Sequence, residues 1–127
     1  MTVVGMGGYF FRAQDPAALK AWYRNHLGVG GGCGTDGQGQ SNEWLWHTQG
    51  GPMVFEPFKA DSDYFAPDKQ AMINLRVRDL DGLLAELREA GIAITQEQEM
   101  AGVGRFARIH DPEGNAIELW EPAATGA

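Results

Sequence analysis

Gly104-Arg105-Phe106-Ala107-Arg108-Ile109-His110-Asp111-Pro112-Glu113-Gly114-Asn115-Ala116-Ile117-Glu118-Leu119-Trp120-Glu121-Pro122 is the stretch on which the reading of this chain turns. Phe106 to His110 and Ala116 to Trp120 alternate in character, and the Asp-Pro-Glu-Gly-Asn cluster between them is rich in turn formers. That pattern predicts two strands joined by a tight turn. In the second strand Ile117 and Leu119 point one way, Glu118 and Trp120 the other. A carboxylate that shares a face with a tryptophan needs a partner if that face is buried.

The chain around this hairpin is 127 residues long, 43% hydrophobic and 10% aromatic, which predicts one ordinary globular domain. A net charge of −7 argues against a nucleic acid or an anionic membrane as partner. No apolar run approaches transmembrane length, and Met1 to Gly5 lacks the basic and apolar regions of a secretory signal, so the expected location is the cytoplasm. The single cysteine, Cys33, excludes an internal disulfide and a multi-cysteine metal site.

Tyr9 to Ala13 reads as a strand, and Asp15-Pro16 as an N-cap with proline at the first helical position. Leu19, Trp22, Tyr23 and Leu27 then recur at helical spacing up to Gly28. Residues 28 to 42 bury little and read as a loop; Gly32, Gly34 and Gly37 match G-x-G-x-x-G in form, but after a helix, where no phosphate cradle is built. Trp44 to Thr48 and Pro52 to Phe55 read as a second hairpin around Gln49-Gly50-Gly51. The polar stretch from Lys59 to Gln70 connects two halves, its Tyr64 and Phe65 either capping a sheet edge, the simpler role, or covering a pocket. Met72 to Val77 is the next strand. Asp79 or Asp81 caps a helix that places Leu80, Leu83, Leu84 and Leu87 on one face before Gly91, and Ile92 to Thr95 reads as a short strand.

The halves repeat. Setting Asp15 against Asp79 aligns Phe11-Arg12 with Leu75-Arg76, Leu19 with Leu83, and Arg24 with Arg88; one residue further in offset, Val54-Phe55-Glu56-Pro57 meets Leu119-Trp120-Glu121-Pro122. Modules of about 60 residues bury a sheet face poorly alone and well in pairs. Alternation assigns Tyr9, Phe11, Val54, Ile73, Leu75, Val77, Ile117 and Leu119 to the helix side. It assigns Gly8, Phe10, Arg12, Met53, Phe55, Met72, Asn74, Arg76, Glu118 and Trp120 to the other. Such a mixture fits a concave sheet around a cleft; the competing account is an internal ion-pair network of Arg12, Arg76 and Glu118, which desolvation makes costly.

With these residues in view, the chain resembles the vicinal oxygen chelate superfamily, the glyoxalase, bleomycin-resistance and extradiol-dioxygenase group. The resemblance runs over Phe11 to Gly28, Ile73 to Gly91 and, most specifically, the hairpin. It implies an α+β fold of two βαβββ modules forming a curled mixed sheet around a cleft, commonly in a homodimer. The expected layout is one domain over 1–127, with module one at about 5–58, the connection at about 59–70 and module two at about 71–122. Metal-dependent members chelate a divalent ion with His or Glu from the first and last strands of each module. Those positions fall here on Gly8, Met53, Met72 and Glu118, of which only Glu118 can ligate, and transition-metal sites need about three or four protein ligands. His26, His47 and His110 lie on a helix, a strand and a turn, and do not regroup, so no metal or other cofactor is expected.

Two functions follow from the resemblance. One is a bleomycin-resistance-type binding protein, its small ligand held between aromatic walls drawn from Trp46, Phe55, Phe106 and Trp120, with Phe10 and Asn74 also on the cleft side. Arg12 and Arg76 suit a carboxylate or phosphate, so the expected ligand is a small anion or zwitterion. The other is a metal-independent lyase or isomerase of a carbonyl compound, with Glu118 as general base and Arg76 and Asn74 stabilising an oxyanion. Burial raises the pKa of such a carboxylate and an arginine lowers it, and the residue pattern leaves that balance open. A metalloenzyme completed by the other protomer is a third, weaker possibility.

Overall fold

A computed structural model describes residues 6–33 and 45–124. Met1 to Gly5, Trp44, and the Gly34 and Gly37 part of the predicted loop lie outside the described residues. The elements run α1 (Pro16–Leu27), β1 (Ile73–Arg76), α2 (Leu80–Glu89), β2 (Gln96–Met100), β3 (Gly104–His110) and β4 (Ala116–Pro122). The fold is α+β. Among the described residues, four strands form one open mixed sheet in the order β1-β4-β3-β2, with β1 parallel to β4 and the other neighbours antiparallel.

The helix ends follow the capping chemistry. Asp15 accepts the Ala18 N–H at 3.1 Å with Pro16 next to it, and Gly28 ends α1 at φ 66°. Of the two candidates for the second cap it is Asp79 that accepts, from Gly82 N at 3.2 Å, and Gly91 at φ 80° follows the helix. Glu121 of β4 takes the Leu80 N–H at 3.2 Å, satisfying another of the free amides at the start of α2.

Both helices lie on one side of the sheet. Leu19 and Tyr23 of α1 and Leu80, Leu84 and Leu87 of α2 join Leu75, Ala107, Ile109, Ile117 and Leu119 in a single core. Ile109, Ile117 and Leu119 are wholly inaccessible. Full burial of such side chains contributes roughly 1.5–3 kcal/mol each. Gly104 opens β3 buried at φ 137°, where a Cβ would collide with the Glu121 carbonyl oxygen and stand 2.8 Å from Trp120 Nε1, so only glycine fits.

The hairpin turn also ties α1 to the sheet. Asp111, 4% exposed, accepts the Tyr23 hydroxyl at 2.7 Å, the Glu113 and Asn115 amides at 2.9 and 3.0 Å, and the Asn115 side-chain amide. Glu113 reaches back to accept Gln14 N at 2.7 Å and Asp15 N at 2.9 Å. Burial first, then the Asp111 carboxylate, drive the Tyr23 pKa far above the ordinary phenol range.

Several expectations for the first half are corrected. Tyr9 to Ala13 forms no strand: Tyr9 and Phe11 pack on each other at 5.2 Å and Phe11 on Tyr23 at 6.1 Å, so aromatic contact with α1 fixes this segment. The hairpin around Gln49-Gly50-Gly51 is absent among the described residues. Leu45 and His47 pair with Gly32 and Cys33 instead, and the Gln49 and Pro52 carbonyls accept from Arg76. Pro52, lacking an N–H, could not have completed that ladder. In the second half, Ile92 to Thr95 leads into a strand without being one, its Ile92 and Ile94 packed against the core, and the strand is Gln96–Met100. No described helix is long and apolar enough to cross a membrane.

Asp111→Ala is expected to destabilise the protein by about 3 kcal/mol, since it leaves several donors around a buried position without an acceptor. Tyr23→Phe, removing a single donor, is expected to cost about 1 kcal/mol in the same urea-unfolding measurement. Equal small losses from both would contradict the clamp.

Candidate functional site

Strand registry sorts the face away from the helices into two rows. One runs Gln96, Arg108, Glu118, Asn74 across β2, β3, β4 and β1; the other runs Gln98, Phe106, Trp120, Arg76. The first row is polar, and the second sets Phe106 and Trp120 between Gln98 and Arg76. Phe106 and Trp120 lie parallel, 4° apart in plane at 6.1 Å between centroids, and the Trp120 indole N–H donates to Val103 O at 3.0 Å.

Glu118 is engaged from two directions. Asn74 Nδ2 donates to Oε1 at 2.8 Å, and the Tyr64 hydroxyl donates to Oε2 at 2.5 Å. Tyr64 belongs to the connection between halves, where its amide donates to Ser62 Oγ and its ring meets Phe58 edge-on at 5.7 Å. The connection therefore covers this face, contrary to the edge-capping expectation. The Arg108 guanidinium carbon lies 4.4 Å from the centroid of the Tyr64 ring, a cation–π contact. Burial raises the Tyr64 pKa, the Glu118 carboxylate adds to the rise, and Arg108 opposes it.

Arg108 is the unusual group. Its Nε and Nη2 are shut off from solvent and find no acceptor among the described residues. It stands in register with Glu118, whose oxygens already accept from Tyr64 and Asn74. Unsatisfied buried donors cost about 1–3 kcal/mol, more when charged. The hollow framed by Tyr64, Gln96, Gln98, Phe106, Arg108 and Glu118 measures about 10 Å³, room for roughly one water.

The predicted site residues divide. Asn74, Phe106, Glu118 and Trp120 come together on this face. Arg76 lies on the same face, but its fork donates to Pro52 O at 2.6 Å and Gln49 O at 2.9 Å, which fastens the first-half segment to β1. Arg12 is exposed, Phe10 is 94% exposed and Phe55 is 83% exposed, and none of these three lies on a strand of this sheet. Their placement rested on strands that the described first half does not form. Trp46 is partly exposed, at 38%. Arg108 and Tyr64 were missed. Alternation from Phe106 would have found Arg108, whereas nothing local marks Tyr64.

Among the described residues, no donor set for a divalent metal is gathered on this face. Among the four positions that metal-dependent relatives use, Gly8, Met53 and Met72 offer no hard or imidazole ligand and Glu118 is already hydrogen-bonded. No three of His, Cys, Asp and Glu gather among the described residues. His26 packs on Trp22 at 5.4 Å, and His110 is exposed at the end of β3.

The family model for a glyoxalase-like domain matches residues 8–120. The chain belongs to the glyoxalase-like domain family. Solved structures agree in fold. TnmS3, an antibiotic-binding protein from Streptomyces sp. CB03234, is 20% identical, with 97% of this chain and 99% of that one covered at a TM-score of 0.58. A glyoxylase/bleomycin resistance protein/dioxygenase domain from Frankia sp. EAN1pec is 21% identical over 96% and 100%, also at 0.58. Lactoylglutathione lyase from Agrobacterium tumefaciens is 20% identical over 86% and 87%, at 0.51. No curated protein matches the chain.

Tyr9, Tyr23 and Tyr64, the three tyrosines of the chain, are all shifted upward, in each case chiefly by burial. A raised folded-state value favours the protonated phenol. Its contribution to stability is complete below the unfolded value of about 10 and is lost as pH rises through the folded one. Phenolate absorbance of the folded protein should therefore rise at higher pH than after unfolding in urea. Tyr64→Phe should remove one late-titrating group; a folded curve that superimposes on the unfolded one would deny these contacts.

Proposed function

We propose that this protein binds a small anionic or zwitterionic molecule in a cleft over the Glu118 face and works without the metal of its metal-dependent relatives. The observation that carries the reading is Arg108. Two buried guanidinium donors without acceptors among the described residues, beside a carboxylate whose hydrogen bonds come from Tyr64 and Asn74, are a costly arrangement that a two-oxygen acceptor on a ligand would relieve. Phe106 and Trp120 supply a flat apolar floor, and Asn74 with Glu118 a donor and an acceptor. Arg108 thus takes the role that the residue pattern gave to Arg12 and Arg76.

The functional unit is proposed to be a homodimer in which two βαβββ modules curl around the cleft. Support comes from the first half: Tyr9, Phe11, Met53, Val54 and Phe55 are exposed, and the open sheet can accept further strands beside β1. That arrangement is also what would return Phe10, Arg12 and Phe55 to the site. The free Cys33 suits the reducing cytoplasm.

A second reading, a metal-independent lyase or isomerase with Glu118 as general base, is favoured by the Tyr64 and Asn74 hydrogen bonds, which hold the Glu118 carboxylate in a fixed orientation on this face.

Screening small carboxylates and phosphates by thermal shift is expected to yield a stabilising compound, worth about 2.7 kcal/mol at a hundred times its Kd. Arg108→Met should abolish that stabilisation; a hit indifferent to it would move the site elsewhere. With the hit in hand, Glu118→Gln separates the two readings, since retained binding with lost turnover marks a base. Sedimentation should give about twice the 13.8 kDa chain mass, and a monomer would remove the dimer from the proposal.

A further inference from the structure

Tyr64 is bound to this face as a ligand would be. Its ring lies over the Arg108 guanidinium at 4.4 Å, its hydroxyl donates to Glu118, and it reaches the face from a connecting segment rather than from the sheet. The space left under it is about 10 Å³, whereas small-molecule sites measure roughly 300–1,000 Å³. A ligand on this face must displace Tyr64. Once displaced, Tyr64 leaves behind the imprint of a phenol: a cationic plane for a ring to stack on, an acceptor carboxylate at the position of a ring hydroxyl, and the Phe106–Trp120 floor beside it.

We infer that the site takes a ligand with a hydroxylated planar aromatic ring and that Tyr64 is its internal stand-in. The inference rests on the proposed binding function and adds the ligand's class. The ring replaces the Tyr64 phenol over Arg108, and its hydroxyl donates to Glu118 Oε2. The in-plane Nε and Nη2 donors stay available to an acceptor elsewhere on the ligand. Phe58 holds Tyr64 by an edge contact at 5.7 Å and is itself 46% exposed, so the segment can swing away without breaking the main core. Displacement lowers the apparent affinity by the fraction of molecules that are open.

The test uses 2-naphthol and 2-methoxynaphthalene, which share a ring system but differ in the hydroxyl donor, titrated by fluorescence against the full chain. Tyr64→Ala is expected to bind 2-naphthol about tenfold or more tighter than wild type, because no internal phenol competes. On that variant 2-methoxynaphthalene should bind about tenfold more weakly than 2-naphthol, and Glu118→Leu in the same background should erase the difference. Tyr64→Phe keeps the ring and drops the hydroxyl, so it should give a smaller gain; it carries the test alone if the alanine variant does not fold. Unchanged or weaker naphthol binding in the Tyr64 variants, or equal affinity for the methoxy compound, overturns the stand-in. If an Arg108-dependent anion still binds in that event, the inference about Tyr64 fails alone; if none binds, the binding function fails with it.

Discussion

The Asp111 carboxylate is the point on which the two halves of this protein depend. It is almost fully buried, it closes the hairpin turn through two backbone amides and the Asn115 side chain, and it accepts the hydroxyl of Tyr23 from α1. A buried ionisable group is expensive unless its lone pairs are filled, and here they are filled from both halves. Glu113, two residues on, adds the entry to α1 through Gln14 and Asp15. The turn thus fixes where the first helix sits, and with it the apolar side of the sheet. The opposite side is left free for chemistry.

On that opposite side the decisive fact is competition for one carboxylate. Glu118 has a cation beside it in register, yet its partners are a tyrosine and an asparagine. The Tyr64 ring takes the face of Arg108 and its hydroxyl takes an oxygen of Glu118, so a single residue stands between the two charged groups. Removing Tyr64 frees both at once. The site's polarity is accordingly set by a segment of the chain that belongs to neither helix nor sheet.

Much of the fold was legible because it rests on local rules. Asp15-Pro16, Gly28, Asp79 and Gly91 mark helix ends, and alternation in the hairpin correctly divides Ile117 and Leu119 from Glu118 and Trp120. Applied to Phe106, the same alternation reaches Arg108. What was not legible depends on non-local pairing. Gln96–Met100 is polar on both faces, with Glu97 and Glu99 opposite Gln96 and Gln98, which suits a sheet edge but carries no apolar period to detect. Arg76 spends its fork on carbonyls of a segment more than twenty positions earlier, and Tyr64 reaches Glu118 across fifty-four. No window of sequence contains those contacts.

The two margins of the sheet differ in kind. Along β2, Glu97 and Glu99 sit on the outermost strand, Glu97 paired with Arg88 at 2.7 Å, and charged side chains of this kind blunt a sheet edge. Beside β1, Arg76 holds the Gln49 and Pro52 carbonyls, and Met53, Val54 and Phe55 that follow are exposed. If strands add beside β1 and not beside β2, self-association through this sheet would end at a closed pair instead of growing into a fibre.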